Sequence, residues 1–153
     1  MFYFILFNLT FEKKQILLGR IPLHEAAARG HVKSVALLLS FTPDKNIGDA
    51  HGMTVMRYAA TGDGAGKPEV VSFLMKDPDI QIDVKDLIGE TPLQAAAILG
   101  LENVVNVLLR SEYIDVNNKN NHGMSVFNSA ITGGNQNVVA AVIFSFSFSF
   151  LLF

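Results

Sequence analysis

The stretch Gly62-Asp63-Gly64-Ala65-Gly66-Lys67 comes nearest, in residue types, to a cradle for phosphate. A phosphate loop needs four residues between its outer glycines, so that successive backbone N–H groups converge on one anion. It also needs a Ser or Thr after the lysine to bind magnesium, and a strand leading in. Here Gly62 and Gly66 enclose three residues, and Pro68 follows Lys67. A short helix leads in. The nucleotide reading fails on all three counts, and Asp63–Ala65 reads as a three-residue insertion between two helices.

Other reactive side chains are scattered. Histidines stand at 24, 31, 51 and 122, without the spacing of a metal site. The chain has no cysteine, which removes disulfides and thiolate ligands. No serine sits in a nucleophile elbow, and no His-Glu-x-x-His run occurs. Asp77 and Asp79 lie together in a loop and read as solvated carboxylates. The expectation is no catalytic residue, no metal and no cofactor.

Half of the 153 residues are hydrophobic and 17% are charged, which suits a buried core and argues against disorder. The net charge of −2 offers no basic surface for nucleic acid. Both ends are apolar. Residues 2–7 read Phe-Tyr-Phe-Ile-Leu-Phe but lack the positive flank and cleavage site of a signal peptide. Asn8-Leu9-Thr10 fits a glycosylation tripeptide, a weak signal without a secretory route. From Val138 to Phe153 there are 16 uncharged residues, fewer than a bilayer span needs and interrupted by three serines. The Phe/Ser alternation from Phe144 has the period of a strand. A low-complexity artefact of where the chain was cut is an equal reading.

The middle of the chain repeats itself, and the repeats are what must position any site. Ile21-Pro-Leu-His-Glu-Ala-Ala27, Thr54-Val-Met-Arg-Tyr-Ala-Ala60, Thr91-Pro-Leu-Gln-Ala-Ala-Ala97 and Ser125-Val-Phe-Asn-Ser-Ala-Ile131 start 33, 37 and 34 residues apart. A glycine stands two places before each start, at 19, 52, 89 and 123, and another after each run, at 30, 66, 100 and 134. Proline at the second position suits a first helical turn, and a preceding Thr or Ser can cap it. Paired alanines permit close stacking, and the later glycine suits a left-handed helix end. Each unit then continues into an aliphatic helix: Val32/Val35/Leu37/Leu38, Val70/Val71/Phe73/Leu74, Val104/Val105/Val107/Leu108 and Val138/Val139/Val142/Ile143. Such short helices do not persist alone, so neighbouring units must bury them.

The pattern resembles the ankyrin repeat, whose hallmark is Thr-Pro-Leu-His-x-Ala within about 33 residues. The third unit, from Asp86 to Leu109, matches best, the first carries the family's histidine as His24, and the second and fourth replace proline with Val55 and Val126. The resemblance implies an all-α repeat solenoid, with helix-turn-helix units joined by β-hairpin-like fingers. The expected organisation is an apolar N-terminal segment at 1–18, read as a remnant of a preceding unit. The array follows at 19–144, in units of about 19–51, 52–88, 89–122 and 123–144, and a Phe/Ser tail at 145–153.

Resemblance also implies the work. Ankyrin arrays hold protein partners on the concave face formed by fingers and first helices, and His24 serves a structural bond to the next turn. The expected contacts on the fingers are Ile47, Ala50, His51, Val84, Lys85, Leu87, Ile88, Asn118, Lys119, Asn121 and His122. On the first helices they are Glu25, Arg29, Tyr58, Thr61, Ile98 and Leu99. The expected function is a scaffold or adaptor module for a protein partner, without enzyme activity, nucleic acid or a small-molecule cofactor, in the cytoplasm. Two alternatives stay open: an array anchored to a membrane by an apolar terminus, and a piece of a longer array.

Overall fold

The computed structural model describes residues 19–151, with side chains through Ser147. The readings of residues 1–18, including the Asn8 tripeptide, lie outside them. Eight α-helices are found among the described residues: α1 Pro22–Ala28, α2 Val32–Leu39, α3 Val55–Thr61, α4 Pro68–Leu74, α5 Pro92–Ile98, α6 Glu102–Leu108, α7 Val126–Gly133 and α8 Gln136–Leu151. They pair within units, and the odd-numbered helices stack in one row and the even-numbered in a second.

The first helices pack through their small residues. Ala27, Ala59, Ala60, Ala96, Ala97 and Ala130 are fully buried, which lets successive backbones approach closely. Leu23, Met56 and Leu93 fill the space beneath them, and Val35, Val70, Val71, Val104, Val105, Leu108, Val138 and Val142 complete one continuous core. Leu37 and Ile143, read from sequence as core-facing, are exposed. In α2 it is Leu39 that turns inward instead.

Capping follows the expectation in the two later units. Thr91 Oγ1 accepts from the N–H of Gln94 at 3.2 Å, and Ser125 Oγ accepts from that of Asn128 at 3.3 Å. Thr54 does not cap α3, and its hydroxyl is buried without a partner among the described residues.

The insertion forms a single 3-10 turn, Gly62–Gly64. Gly62 does more than lengthen a loop. A Cβ there would lie 2.2 Å from the carbonyl oxygen of Ala28, and one on Gly133 would lie 2.3 Å from that of Ala97. These glycines let α3 and α7 end against the preceding unit.

The strand reading of the Phe/Ser tail is corrected: α8 continues through Leu151, across the expected boundary at residue 145. Among the described residues the alternating pattern has no neighbouring strand edge to pair with, whereas the helix that starts at Gln136 only has to extend, adding one bond per residue. Among the described residues no helix is long and apolar enough to cross a membrane.

A candidate partner-binding surface on the fingers

Three connections project between units, at about residues 47–53, 84–90 and 118–124, each built on the same turn. Asp49 Oδ1 accepts from the N–H groups of His51 and Met53 at 2.8 and 2.9 Å. Asp86 Oδ1 accepts from Ile88 and Glu90 at 3.0 and 2.9 Å. Asn120 Oδ1 accepts from His122 and Met124, both at 3.0 Å. A side-chain oxygen that replaces backbone acceptors in this way sets a tight turn. Sequence reading passed over this Asp/Asn, three places before each finger glycine, although the spacing was there to find.

The fingers are tied to one another. The N–H of Leu87 donates to the carbonyl of His51 at 2.9 Å, and that of Asn121 to Ile88 at 3.0 Å. Asn121 Nδ2 adds a bond to the Leu87 carbonyl at 3.1 Å. The expected hairpin character is slight: an isolated bridge joins Lys119 and Ser125.

A second set of bonds ties the first helix of each of the first three units to the finger that follows it. His24 is fully buried, with Nε2 placed 2.9 Å from the Ile47 carbonyl and Nδ1 accepting from Ile21 N–H at 3.4 Å. Burial, above all, lowers its pKa, against the opposing pull of the Ile47 bond and of Asp49. Gln94 fills the same place in the third unit, where Nε2 donates to the carbonyls of Asn118 and Met124 at 3.2 and 2.8 Å. In the second unit the place falls to Arg57. Its guanidinium donates to Glu90 Oε2 at 2.7 Å and to the Thr91 carbonyl at 3.2 Å, with Asp86 Oδ2 3.6 Å away. All three charged side chains are largely buried. Nothing in the sequence spacing announced this cluster.

These anchors sort the expected contact residues. Tyr58 donates its hydroxyl to Asp49 Oδ2 at 2.6 Å and stacks on His24, with ring centroids 4.9 Å apart, under the Arg20 guanidinium. Burial raises the Tyr58 pKa, and the bond to Asp49 adds to the rise. Burial works to raise the Asp49 pKa as well, but the hydrogen bonds from Tyr58, Met53 and His51 outweigh it and hold it low. Ile47 is half-buried against the core, and Asn118 Nδ2 donates to Asp83 Oδ2 at 2.7 Å. Val84 turns toward a separate concavity beside Ile80, Ile82 and Tyr113. Glu25 pairs with Arg20 and Arg29 at the end of α1.

The other residues face outward. Ala50, His51, Lys85, Leu87, Ile88, Lys119, Asn121 and His122 are exposed along the row of fingers. Thr61, Ile98 and Leu99 come together with Arg57 and Glu90 in a groove of about 320 Å³ between the second and third units. Among the described residues no cluster of three His, Asp or Glu side chains could hold a metal ion.

Buried alanines, left-handed glycines on both sides of each first helix and side chains bonded to the following finger are joined by a direct family match. The family model for ankyrin repeats, in three copies, matches residues 2–86 and 65–147. The chain belongs to the ankyrin repeat family. Human Rabankyrin-5 is 28% identical over 113 residues, 74% of this chain and 9% of that protein. Neurogenic locus notch homolog protein 1 of Xenopus laevis is 29% identical over 125 residues, covering 82% of this chain and 5% of the relative. The mouse protein of that name is 32% identical over the same length and shares. The chain thus spans less than a tenth of the curated relatives it matches. Ankyrin repeats are protein–protein interaction modules, a non-catalytic fold.

Proposed function

We propose that this array works as a scaffold or adaptor, binding a protein partner on the face made by its fingers and first helices. The observation that supports this most is the exposure of Leu87 and Ile88, 69% and 50%, on a finger whose backbone is bonded on both sides. Grouped exposed apolar side chains commonly mark an interaction site. A surface already held by its neighbours loses little freedom on binding. Leu99, 51% exposed just past the end of α5, adds a further apolar side chain on the groove beside Arg57. The role is contact, without chemistry on the bound partner.

Affinity capture from extract with mass spectrometry tests the reading, comparing the natural chain with Leu87→Ser/Ile88→Ser. The expected outcome is loss of the natural chain's partners with little change in thermal midpoint. Undiminished capture would remove the second finger from the contact. A large drop in midpoint would show that these residues stabilise the fold.

A further inference from the structure

The finger row is sorted by charge. It contains three carboxylates, Asp49, Asp86 and Glu90, and each is turned inward. Asp49 is held by Tyr58 and its own turn, while Asp86 and Glu90 meet Arg57. The lysines do the opposite: Lys85 and Lys119 are both exposed. Lys85 Nζ donates to the carbonyl of Lys119 at 3.0 Å, so the two residues are neighbours on adjacent fingers. Exposed Leu87 and Ile88 lie within the same pair of fingers, and Asn121, bonded to the Leu87 carbonyl, fixes the register between them. The tips of these two fingers therefore present an apolar pair beside two cations, although the whole chain carries a net charge of −2; the nearest carboxylates stand where the fingers begin, Asp83 half-buried against Asn118 and within reach of the Lys85 charge, and Asp115 exposed.

We propose that the second and third fingers dock an acidic amphipathic protein segment. Aliphatic or aromatic side chains of that segment cover Leu87 and Ile88, and its Asp or Glu side chains face Lys85 and Lys119. The proposal rests on the reading of the fingers as the binding face and adds the chemistry of the partner. Apolar contact at the centre supplies most of the affinity, while the charges at its edge choose among partners. A basic segment would meet like charge at Lys85 and Lys119. An acidic one would meet no free carboxylate at the finger tips, because Arg57, Tyr58 and the turn amides occupy Asp49, Asp86 and Glu90, while Asn118 and the Asp115 N–H engage Asp83 at the finger base.

Selection from a displayed library of random peptides against the purified chain tests this, with binding of the enriched peptides then measured by fluorescence polarisation. Acidic sequences carrying paired apolar residues should be enriched, and their affinity should fall about tenfold or more between 50 and 500 mM salt. Leu87→Ser/Ile88→Ser should abolish their binding. Lys85→Glu/Lys119→Glu should also abolish it, and a repeat selection on that variant should turn to basic peptides. All four side chains are exposed, and circular dichroism checks that both variants stay folded.

Neutral or basic peptides that still require Leu87 and Ile88 would overturn the partner chemistry yet leave the fingers as the binding face. Peptides indifferent to all four residues would overturn both readings. No enrichment beyond that seen with the charge-reversed variant also overturns the proposal. So does co-sedimentation with phosphatidylserine vesicles when no peptide binds, which would transfer the lysines to a lipid surface.

Discussion

The N–H of Leu87 donates to the carbonyl of His51 at 2.9 Å, linking two fingers that stand one repeat apart. The same bond recurs one unit on, from Asn121 to Ile88 at 3.0 Å. These bonds require the fingers to approach so closely that the glycines between them have no room for a side chain. A Cβ on Gly89 would lie 2.4 Å from Asn121 Oδ1 and 2.9 Å from the Asn121 backbone nitrogen. The equivalent Cβ on Gly123 would meet no described atom within 4 Å.

Gly89→Ala and Gly123→Ala therefore separate two costs. Both residues have positive φ, +76° and +75°, so alanine is disfavoured at each by about 1–2 kcal/mol. Gly89→Ala adds overpacking against the next finger, roughly another 1–3 kcal/mol. Urea unfolding should place Gly89→Ala clearly below Gly123→Ala in midpoint. Equal midpoints would mean that the fingers do not pack on each other.

The buried Arg57 cluster carries a larger stake. Removing the guanidinium leaves Glu90 and Asp86 buried without their counter-charge, and such a loss costs about 3–5 kcal/mol. Arg57→Met should fall in that range, and adding Glu90→Gln should recover part of it by removing one stranded charge. A double variant no more stable than Arg57→Met would show that the pair contributes little to the joint between the second and third units.

How much of this was legible beforehand depended on whether a residue's role repeats. The alanines, helix-ending glycines and Pro22 and Pro92 recur at matching places in successive units, so both helix rows could be read from the sequence. Arg57 was not legible, because it stands where the first unit has His24 and the third has Gln94, and spacing does not say which acid a long cation will reach. Tyr58 and Asn118 occupy positions that the resemblance assigns to contacts, but local partners engage them: Asp49 and His24 for one, Asp83 for the other. The exposure of Leu87 and Ile88 was readable, because a finger tip has little to bury against.

His24 makes the first joint sensitive to pH. Its imidazole is fully buried and its pKa lies below the ordinary 6.5, so folding favours the neutral ring. Below the unfolded value the unfolded chain binds the proton more readily than the folded chain does. This contribution to stability is thus complete above about pH 6.5 and declines as pH falls toward the depressed folded value. His24→Gln places the side chain of Gln94 in the equivalent position and removes that titration. Thermal midpoints between pH 7.5 and 5.5 should fall more steeply for the natural chain than for His24→Gln. Parallel curves would show that burial of His24 does not couple to protonation.

The far face of the fourth unit differs from every other inter-unit face, and the glycines show how. A Cβ on Gly66 would reach Val104 of the next unit at 2.6 Å, and one on Gly100 would reach Asn135 at 3.2 Å. On Gly134 it would meet no described atom within 4 Å. Ile131 and Ile143 flank that position, 53% and 46% exposed, around a shallow apolar groove of about 300 Å³ that also includes Val139. The groove lies where the preceding units place a neighbour's helices. The 153-residue chain taken alone is therefore expected to associate through this face. Ile131→Lys/Ile143→Lys should hold a single sedimentation coefficient over a range of concentrations in which the natural chain sediments progressively faster. Each change lies on an open surface and should alter stability by no more than about 0.5 kcal/mol. A natural chain that sediments as a monomer throughout that range would rule out the association. A cost above about 2 kcal/mol for the double variant would show that this face is packed, not open.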